Sequence, residues 1–201
     1  MAGVDVMDDA GTNLAAEIRD LAARRDITDA VHRYMRGLDR LDRECLLSVF
    51  HADAFVDCGL LAGSPTEFAD FALGLLADMD ATHHQLGQVR IEFAGGDAAS
   101  GTASGESYFR AFHDVRDEQG EVRDLFIAGR YIDEFTREDG EWRIARRRLV
   151  TDWVTDNPGS RAFFTDNPGA PRGARRGEDF SQTRDWPETA EPRTEQQEPV
   201  R

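Results

Sequence analysis

Residues 81–93 read ATHHQLGQVRIEF, and within this stretch the spacing of apolar residues changes from a helical period to a strand period. From Gln88 to Phe93 apolar and polar residues alternate, which is typical of a β-strand with one buried face. Two adjacent histidines, His83 and His84, stand just before the alternating part. The stretch therefore divides the chain into two structural halves and contains a candidate functional site.

The half before this stretch is predicted to be mainly helical. Apolar residues recur at every third or fourth position between Leu14 and Leu38, with residues 24–26 as a candidate break. A second short helix is predicted at 42–50 and a short strand at 54–63. Ser64, Pro65 and the glutamate at position 67 form a capping-box signature, which predicts a helix over 64–79.

The half after this stretch is predicted to be strands. Turn sequences AGGD, DEQGEV and EDGE separate long segments at 98–115, 123–138 and 141–154. Helices followed by antiparallel strands indicate an α+β fold, a cone-shaped curved antiparallel sheet packed with the N-terminal helices. We expect a disordered lead at 1–12, one folded domain at 13–156 and an extended or disordered tail at 157–201.

Composition excludes several classes of function. The net charge of −15 argues against binding to nucleic acid or to an anionic membrane surface. All 24 basic residues are arginine, which excludes a lysine Schiff base and a Walker-A loop. No apolar run approaches the ~20 residues of a membrane span, and no secretory signal is recognisable, so we expect a cytoplasmic protein.

Neither a metal nor a cofactor is predicted. Cys45 and Cys58 lack the spacing of metal ligands. His83 and His84 are adjacent, and adjacent side chains diverge on a helix or a strand, so they make a poor ligand pair.

Three segments carry a family resemblance: ITDAVHRYMRGLDRLDRECLLSVFHADAFVD (27–57), THHQLGQVRIEFAGGDAAS (82–100) and GRYIDEFTREDGEWRIARRRLVTDW (129–153). Over residues 14–156 the chain resembles the SnoaL-like branch of the nuclear transport factor 2-like superfamily. Within that branch it is most similar to scytalone dehydratase, bile acid 7α-dehydratase and hexachlorocyclohexane dehydrochlorinase.

The resemblance implies an aspartate–histidine pair with a nearby tyrosine. It assigns the aspartate to Asp39, the tyrosine to Tyr34 and the histidine to His84, or to His83 if the match shifts by one residue. A histidine titrates near neutral pH and can take a proton, while a neighbouring carboxylate fixes its tautomer. From the residues alone, Asp39 reads equally as a solvated helix end, and Tyr34 as a core residue.

The resemblance further implies a cofactor-independent lyase acting on a small aromatic or polycyclic substrate, with water, halide or a one-carbon fragment such as formaldehyde as the leaving group. Strand aromatics and one arginine are candidate substrate contacts: Tyr108, Phe112, Phe126, Arg130, Tyr131 and Trp153.

Two alternatives stay open: an isomerase or polyketide cyclase on the same fold, and a non-catalytic subunit resembling the β subunit of ring-hydroxylating dioxygenases. The resemblance also implies a homo-oligomer, a trimer in preference to a dimer.

Overall fold

The computed structural model describes residues 5–159 and 162–185, with side chains from residue 14 onward. Two short 3-10 turns, at Ala94–Gly96 and Ala98–Ser100, join the third and fourth strands. The elements in chain order are α1 Asp5–Arg40, α2 Arg43–Leu47, β1 Phe50–Asp57, β2 Ala62–Gly63, α3 Pro65–Ala77, β3 Thr82–Phe93, β4 Thr102–Arg116, β5 Val122–Glu138, β6 Glu141–Pro158, α4 Ala162–Asp166 and α5 Phe180–Thr183.

Helix α1 is one continuous element, so the candidate break at residues 24–26 was wrong. It begins at Asp5, inside the stretch for which the sequence predicted disorder, and residues 1–4 lie outside the described residues. Ile27, Ala30 and Val31 are fully buried on its core face, as the helical spacing predicts. The helix ends where Leu41 adopts a left-handed conformation (φ 51°).

The second and third helices begin at defined caps. Asp42 accepts a hydrogen bond from the backbone N–H of Cys45 at the start of α2. Ser64 and Glu67 form the reciprocal capping box at the start of α3, as the sequence predicted. Helix α3 thus begins at the position that the sequence signature predicts.

The six strands form one curved, unclosed sheet in the order β2-β1-β6-β5-β4-β3. Strands β3 to β6 are consecutive antiparallel neighbours, whereas β1 runs parallel to β6. This parallel pair departs from the predicted wholly antiparallel sheet. Parallel partners require a long connection, and here α3 and the four strands β2 to β5 supply it. The predicted α+β class and helix-covered sheet are confirmed.

The helices cover one face of the sheet, and a register shift bends it. Pairing between β5 and β6 shifts at Ala128–Gly129, where an added Cβ on Gly129 would lie 2.0 Å from the carbonyl oxygen of Val150. The core between the layers holds Phe50, Phe68 and Phe135. Among the described residues, every helix is too short or too polar to span a lipid bilayer.

The chain after β6 returns to the domain. Arg40 Nη1, at the end of α1, donates to the carbonyl oxygen of Ala174 (2.7 Å) and to Asp179 Oδ2 (3.0 Å). The sequence predicted an extended or disordered tail over 157–201. Residues 157–158 belong to β6 and 162–185 contain α4 and α5, whereas 160–161 and 186–201 lie outside the described residues.

Candidate functional site

A mainly apolar cavity of about 380 Å³ lies between the helices and the sheet. Strands β4, β5 and β6 contribute alternate residues to one wall, and α1 and α3 contribute the other. Within the described part of the chain, no aspartate, glutamate or arginine side chain lines it. The lining residues are Tyr34, Leu38, Cys58, Gly59, Leu60, Phe68, Phe71, Ala72, Leu75, Leu76, His84, Phe109, Ala111, His113, Ile127, Tyr131, Leu149 and Thr151.

His84 and Asp39 form a buried pair at the edge of this cavity. His84 Nδ1 lies 2.7 Å from Asp39 Oδ1, and the His84 backbone N–H donates to Asp39 Oδ2 at 2.9 Å. Their side chains are only 6% and 10% exposed. With Nδ1 directed at the carboxylate, Nε2 is the ring nitrogen left to face a bound molecule.

Local structure explains why these two residues meet. Asp39 lies in the last turn of α1, and the 12-residue strand β3 begins at Thr82, so that side chains alternate across the sheet from there. Thr82 and His84 therefore share one face, and both contact Asp39. His83 points to the other face and is exposed. The strand includes both histidines, so neither lies in a turn.

Asp39 is held as a carboxylate. Burial alone would raise its pKa, but hydrogen bonds from the His84 ring and backbone and from the Thr82 hydroxyl (3.1 Å) outweigh burial, and the pKa lies below its ordinary value. An ionised Asp39 keeps the proton of His84 on Nδ1. The solvated helix end considered for Asp39 is excluded, since the residue is 7% exposed.

A second histidine, His113 on β4, lines the same cavity. Its side chain is buried, and its Nδ1 has no hydrogen-bond partner among the described residues. Burial, with a further contribution from neighbouring His84, lowers the pKa of His113 to about 4. His113 is therefore neutral near pH 7 and offers one donor and one acceptor.

Two tyrosines, Tyr34 and Tyr131, add hydroxyl groups to the lining, and a buried cation lies behind them. The Arg147 guanidinium lies 4.1 Å from the ring centre of Tyr34 and 4.3 Å from that of Tyr131. Arg147 makes a bidentate ion pair with Asp133, with 2.7 Å from Nε to Oδ1 and 2.7 Å from Nη2 to Oδ2. Burial raises the pKa of Tyr34 to about 12, against the lowering effect of Arg147. Tyr34 is therefore a protonated hydrogen-bond donor.

Five of the six predicted substrate contacts do not line this cavity. Tyr131 does, whereas Tyr108, Phe112, Phe126, Arg130 and Trp153 are absent from its wall. Their neighbours Phe109 and Ile127 line it instead, because successive side chains on a strand point to opposite faces. The prediction selected aromatic residues without assigning each to a face of the sheet, and as substrate contacts the five stay a prediction.

His113 was the functional candidate that sequence reasoning missed. Strand β4 alternates small or apolar residues at odd positions, such as Ala103 and Ala111, with Glu106 and Arg110 at even positions. That pattern assigns odd positions to the buried face and His113 with them. The alternation alone is therefore a sufficient signal for the position of His113.

Other regions of the described residues contain fewer groups that could bind a metal ion or take part in catalysis. Within residues 5–159 and 162–185, no three His, Cys, Asp or Glu side chains are grouped as ligands for a metal ion. A larger groove of about 560 Å³ lies beside α1, lined mostly by charged side chains that include Asp26, Asp29 and Arg33. That groove contains neither histidine nor tyrosine, so the apolar cavity is the candidate site.

Comparison with known proteins identifies the fold. The sequence model of the SnoaL-like domain family matches residues 19–148. A type 2 hexachlorocyclohexane dehydrochlorinase, LinA, is 21% identical with a TM-score of 0.62, covering 72% of this chain and 95% of its own. The type 3 enzyme from Novosphingobium barchaimii LL02 is 20% identical with a TM-score of 0.63, covering 72% and 96%.

A scytalone dehydratase-like protein from Novosphingobium aromaticivorans has the same fold, with 23% identity, a TM-score of 0.60 and coverage of 72% of this chain and 93% of its own. At this level of identity the solved structures establish a common architecture. No curated protein matches the chain at a significant level.

Proposed function

Because the chain belongs to the SnoaL-like domain family, we propose that it is a cofactor-independent lyase that removes a small group from a ring-containing substrate. The supporting observation is the 2.7 Å contact between His84 Nδ1 and Asp39 Oδ1 at the edge of an apolar cavity. Such a pair supplies a positioned base in a site screened from bulk water. Structural relatives include a dehydrochlorinase and a dehydratase-like protein.

His84 is the base in the proposed reaction. For loss of halide or water, its Nε2 takes a proton from a substrate carbon, the electrons of the C–H bond form a carbon–carbon double bond, and the leaving group departs with the electrons of its own bond. For loss of formaldehyde, Nε2 takes the proton of a hydroxymethyl O–H, the O–H electrons form the C=O bond of formaldehyde, and the electrons of the broken C–C bond stay on the ring carbon, which then takes the proton back from His84. The imidazolium that forms is stabilised by the ionised Asp39 on the opposite ring nitrogen. General base catalysis of this kind contributes about 10²–10⁴-fold to the rate.

The leaving group meets the hydrogen-bond donors of the cavity. Tyr34 remains protonated because burial raises its pKa to about 12, and Arg147 behind its ring favours negative charge developing near the hydroxyl. Neutral His113 lies next to His84 and places no second positive charge beside it. A halide needs only such hydrogen bonds, whereas a hydroxyl takes up the proton held by the His84 imidazolium and leaves as water.

The lining indicates the substrate class. The cavity wall is mainly apolar, and among the described residues it includes no aspartate, glutamate or arginine. A charged substrate would lose its hydration there without gaining an ion pair. We therefore propose an uncharged aromatic or alicyclic substrate held by shape and by a few hydrogen bonds.

The proposal is tested with halogenated and hydroxylated alicyclic, steroid and phenolic compounds in deuterated buffer, with products identified by mass spectrometry. We expect wild type to form a product lighter by water, hydrogen halide or formaldehyde. His84→Gln removes the base and His83→Gln is the matched control, since His83 is the exposed neighbour on the other sheet face. We expect the control to retain activity.

The outcomes of this test separate the alternatives. Deuterium gain without loss of a fragment would replace the lyase with an isomerase or cyclase. Equal product formation by wild type and His84→Gln would overturn the assignment of the base. No turnover of any compound would favour a non-catalytic binding subunit.

Self-association as a homotrimer is a separate part of the proposal. The sheet face opposite the cavity leaves Tyr108 and Trp153 exposed by 40% and 45%. Exposed apolar groups clustered on one sheet face are typical of an interface. Light scattering after size exclusion chromatography would measure the mass, and a monomer at micromolar concentration would contradict this part of the proposal.

A further inference from the structure

The C-terminal segment 171–185 lies beyond the residues that match the family and is attached to the end of α1. Arg40 donates from Nη1 to the carbonyl oxygen of Ala174, and the Arg176 backbone N–H donates to the carbonyl oxygen of Arg40 at 2.9 Å. Arg40 directly follows Asp39 in the chain. The segment is therefore held next to the residue that orients His84.

Arg175 reaches from this segment toward the His84–Asp39 pair. Its Nη1 donates to the carbonyl oxygens of Leu76 and Met79, at 2.8 Å each, where α3 ends. Its Nη2 donates to Thr82 Oγ1 at 2.9 Å. Three contacts hold the guanidinium in one orientation, since the planar group presents its N–H donors in a rigid fork.

The Thr82 hydroxyl connects Arg175 to Asp39. Arginine has only donors, so Thr82 Oγ1 accepts from Arg175 and must direct its own hydrogen elsewhere. Asp39 Oδ1 lies 3.1 Å away and receives it. The result is a continuous chain of hydrogen bonds from Arg175 through Thr82 and Asp39 to His84.

We propose that Arg175 is a positioning residue for the His84–Asp39 pair, acting through Thr82. This inference rests on the proposed function of that pair. Arg175 orients the threonine hydroxyl as a donor and places a positive charge near the carboxylate. Both effects favour the ionised, correctly turned Asp39 that keeps the His84 proton on Nδ1.

Several other charged or titratable groups lie near this chain of hydrogen bonds. Asp80, Arg40 and Arg176 act on the Arg175 charge, and His113 on β4 faces His84. Burial lowers the pKa of Arg175, and Asp39 opposes that effect, so the two charges interact. Because Arg40 and Arg176 are close to Arg175, the test must compare cations of the same segment.

The experiment follows the carboxyl carbon of Asp39 by NMR through an acid titration, which requires no substrate. Arg175→Met removes the charge and the donors, and Arg176→Met is the matched control, because the exposed Arg176 side chain makes no hydrogen bond with the described residues. We expect the Asp39 midpoint to rise by about one unit in Arg175→Met, less in Arg175→Lys, and to stay unchanged in Arg176→Met. An unchanged midpoint in Arg175→Met, or an equal rise in Arg176→Met, would overturn the proposal.

A second variant tests the route through threonine and serves if Arg175→Met fails to fold. Thr82→Val removes the donor to Asp39 and should raise the same midpoint. Since both changes act on one chain of hydrogen bonds, the shift in the double variant should be smaller than the sum. Additive shifts, or no shift in Thr82→Val, would overturn the proposal.

Turnover distinguishes this inference from the proposed function. With an active compound, Arg175→Met should lower kcat about tenfold with little change in KM, while Arg176→Met retains wild-type kcat. If no compound is turned over yet the Asp39 midpoint shifts as expected, the proposed function fails and the positioning of Asp39 by Arg175 stands.

Discussion

The imidazole ring of His113 stands perpendicular to that of His84, at 89°, with 5.1 Å between the ring centres. Two imidazolium ions at this separation would repel each other in a cavity with few polar groups. His113 avoids this repulsion because it is neutral: burial and the neighbouring His84 lower its pKa to about 4. One histidine is thus available to accept a proton while the other remains an uncharged hydrogen-bonding group.

His113 should make the protein sensitive to acid. Its pKa falls from 6.5 in an exposed chain to about 4 in the fold, so the unfolded state binds more protons between these values. The resulting loss of stability as pH falls reaches about 3 kcal/mol.

His113→Phe should therefore gain stability relative to wild type between pH 7 and pH 4, measured by urea unfolding. His32→Phe, at an exposed site, is the control. A difference between His113→Phe and wild type that is independent of pH would contradict this explanation.

Asp39→Asn should abolish most activity while retaining the fold. An amide cannot stabilise the imidazolium of His84 and permits the wrong tautomer, so we expect kcat to fall by about 10²–10⁴-fold. Circular dichroism checks the fold and product formation checks the rate. Asp29→Asn, at an exposed residue on the same helix, should retain wild-type kcat. A variant Asp39→Asn with a kcat near wild type would refute the assigned role.

The buried pair of Arg147 and Asp133 should be sensitive to loss of one partner. Both side chains are at most 1% exposed, so Arg147→Met leaves an uncompensated carboxylate in the core. We expect a loss of about 3–5 kcal/mol in the free energy of unfolding. The double variant Arg147→Met/Asp133→Leu should be less destabilised than Arg147→Met alone, by urea unfolding. Greater destabilisation of the double variant would contradict this account.

Gly129 should tolerate no side chain. An added Cβ would lie 2.0 Å from the backbone oxygen of Val150, which cannot move without separating β5 from β6. Gly129→Ala should destabilise the protein by about 1–3 kcal/mol. Gly74→Ala is the matched control, since its Cβ would meet open space in α3, and it should stabilise by about 0.5–1 kcal/mol. Thermal unfolding distinguishes the two, and equal melting temperatures would argue against the steric explanation.

Short-range patterns predicted most of the architecture. The helical spacing before residue 40 and the alternation after residue 88 each reflect burial of one face, a property that sequence spacing records directly. The capping box at Ser64 is equally local. The break expected at residues 24–26 failed because burial of the Ile27 face maintains α1 through that region.

The sequence by itself determined the α+β class, the helix-then-strand order and the residue types of the candidate pair. Only the tertiary structure decided that His84 rather than His83 meets Asp39, that His113 shares the cavity, and that Arg175 contacts Thr82. Strand direction, register and the path of the tail depend on contacts between residues far apart in the chain. Local spacing does not contain that information, because each strand can present either face to the core until its neighbours are in place.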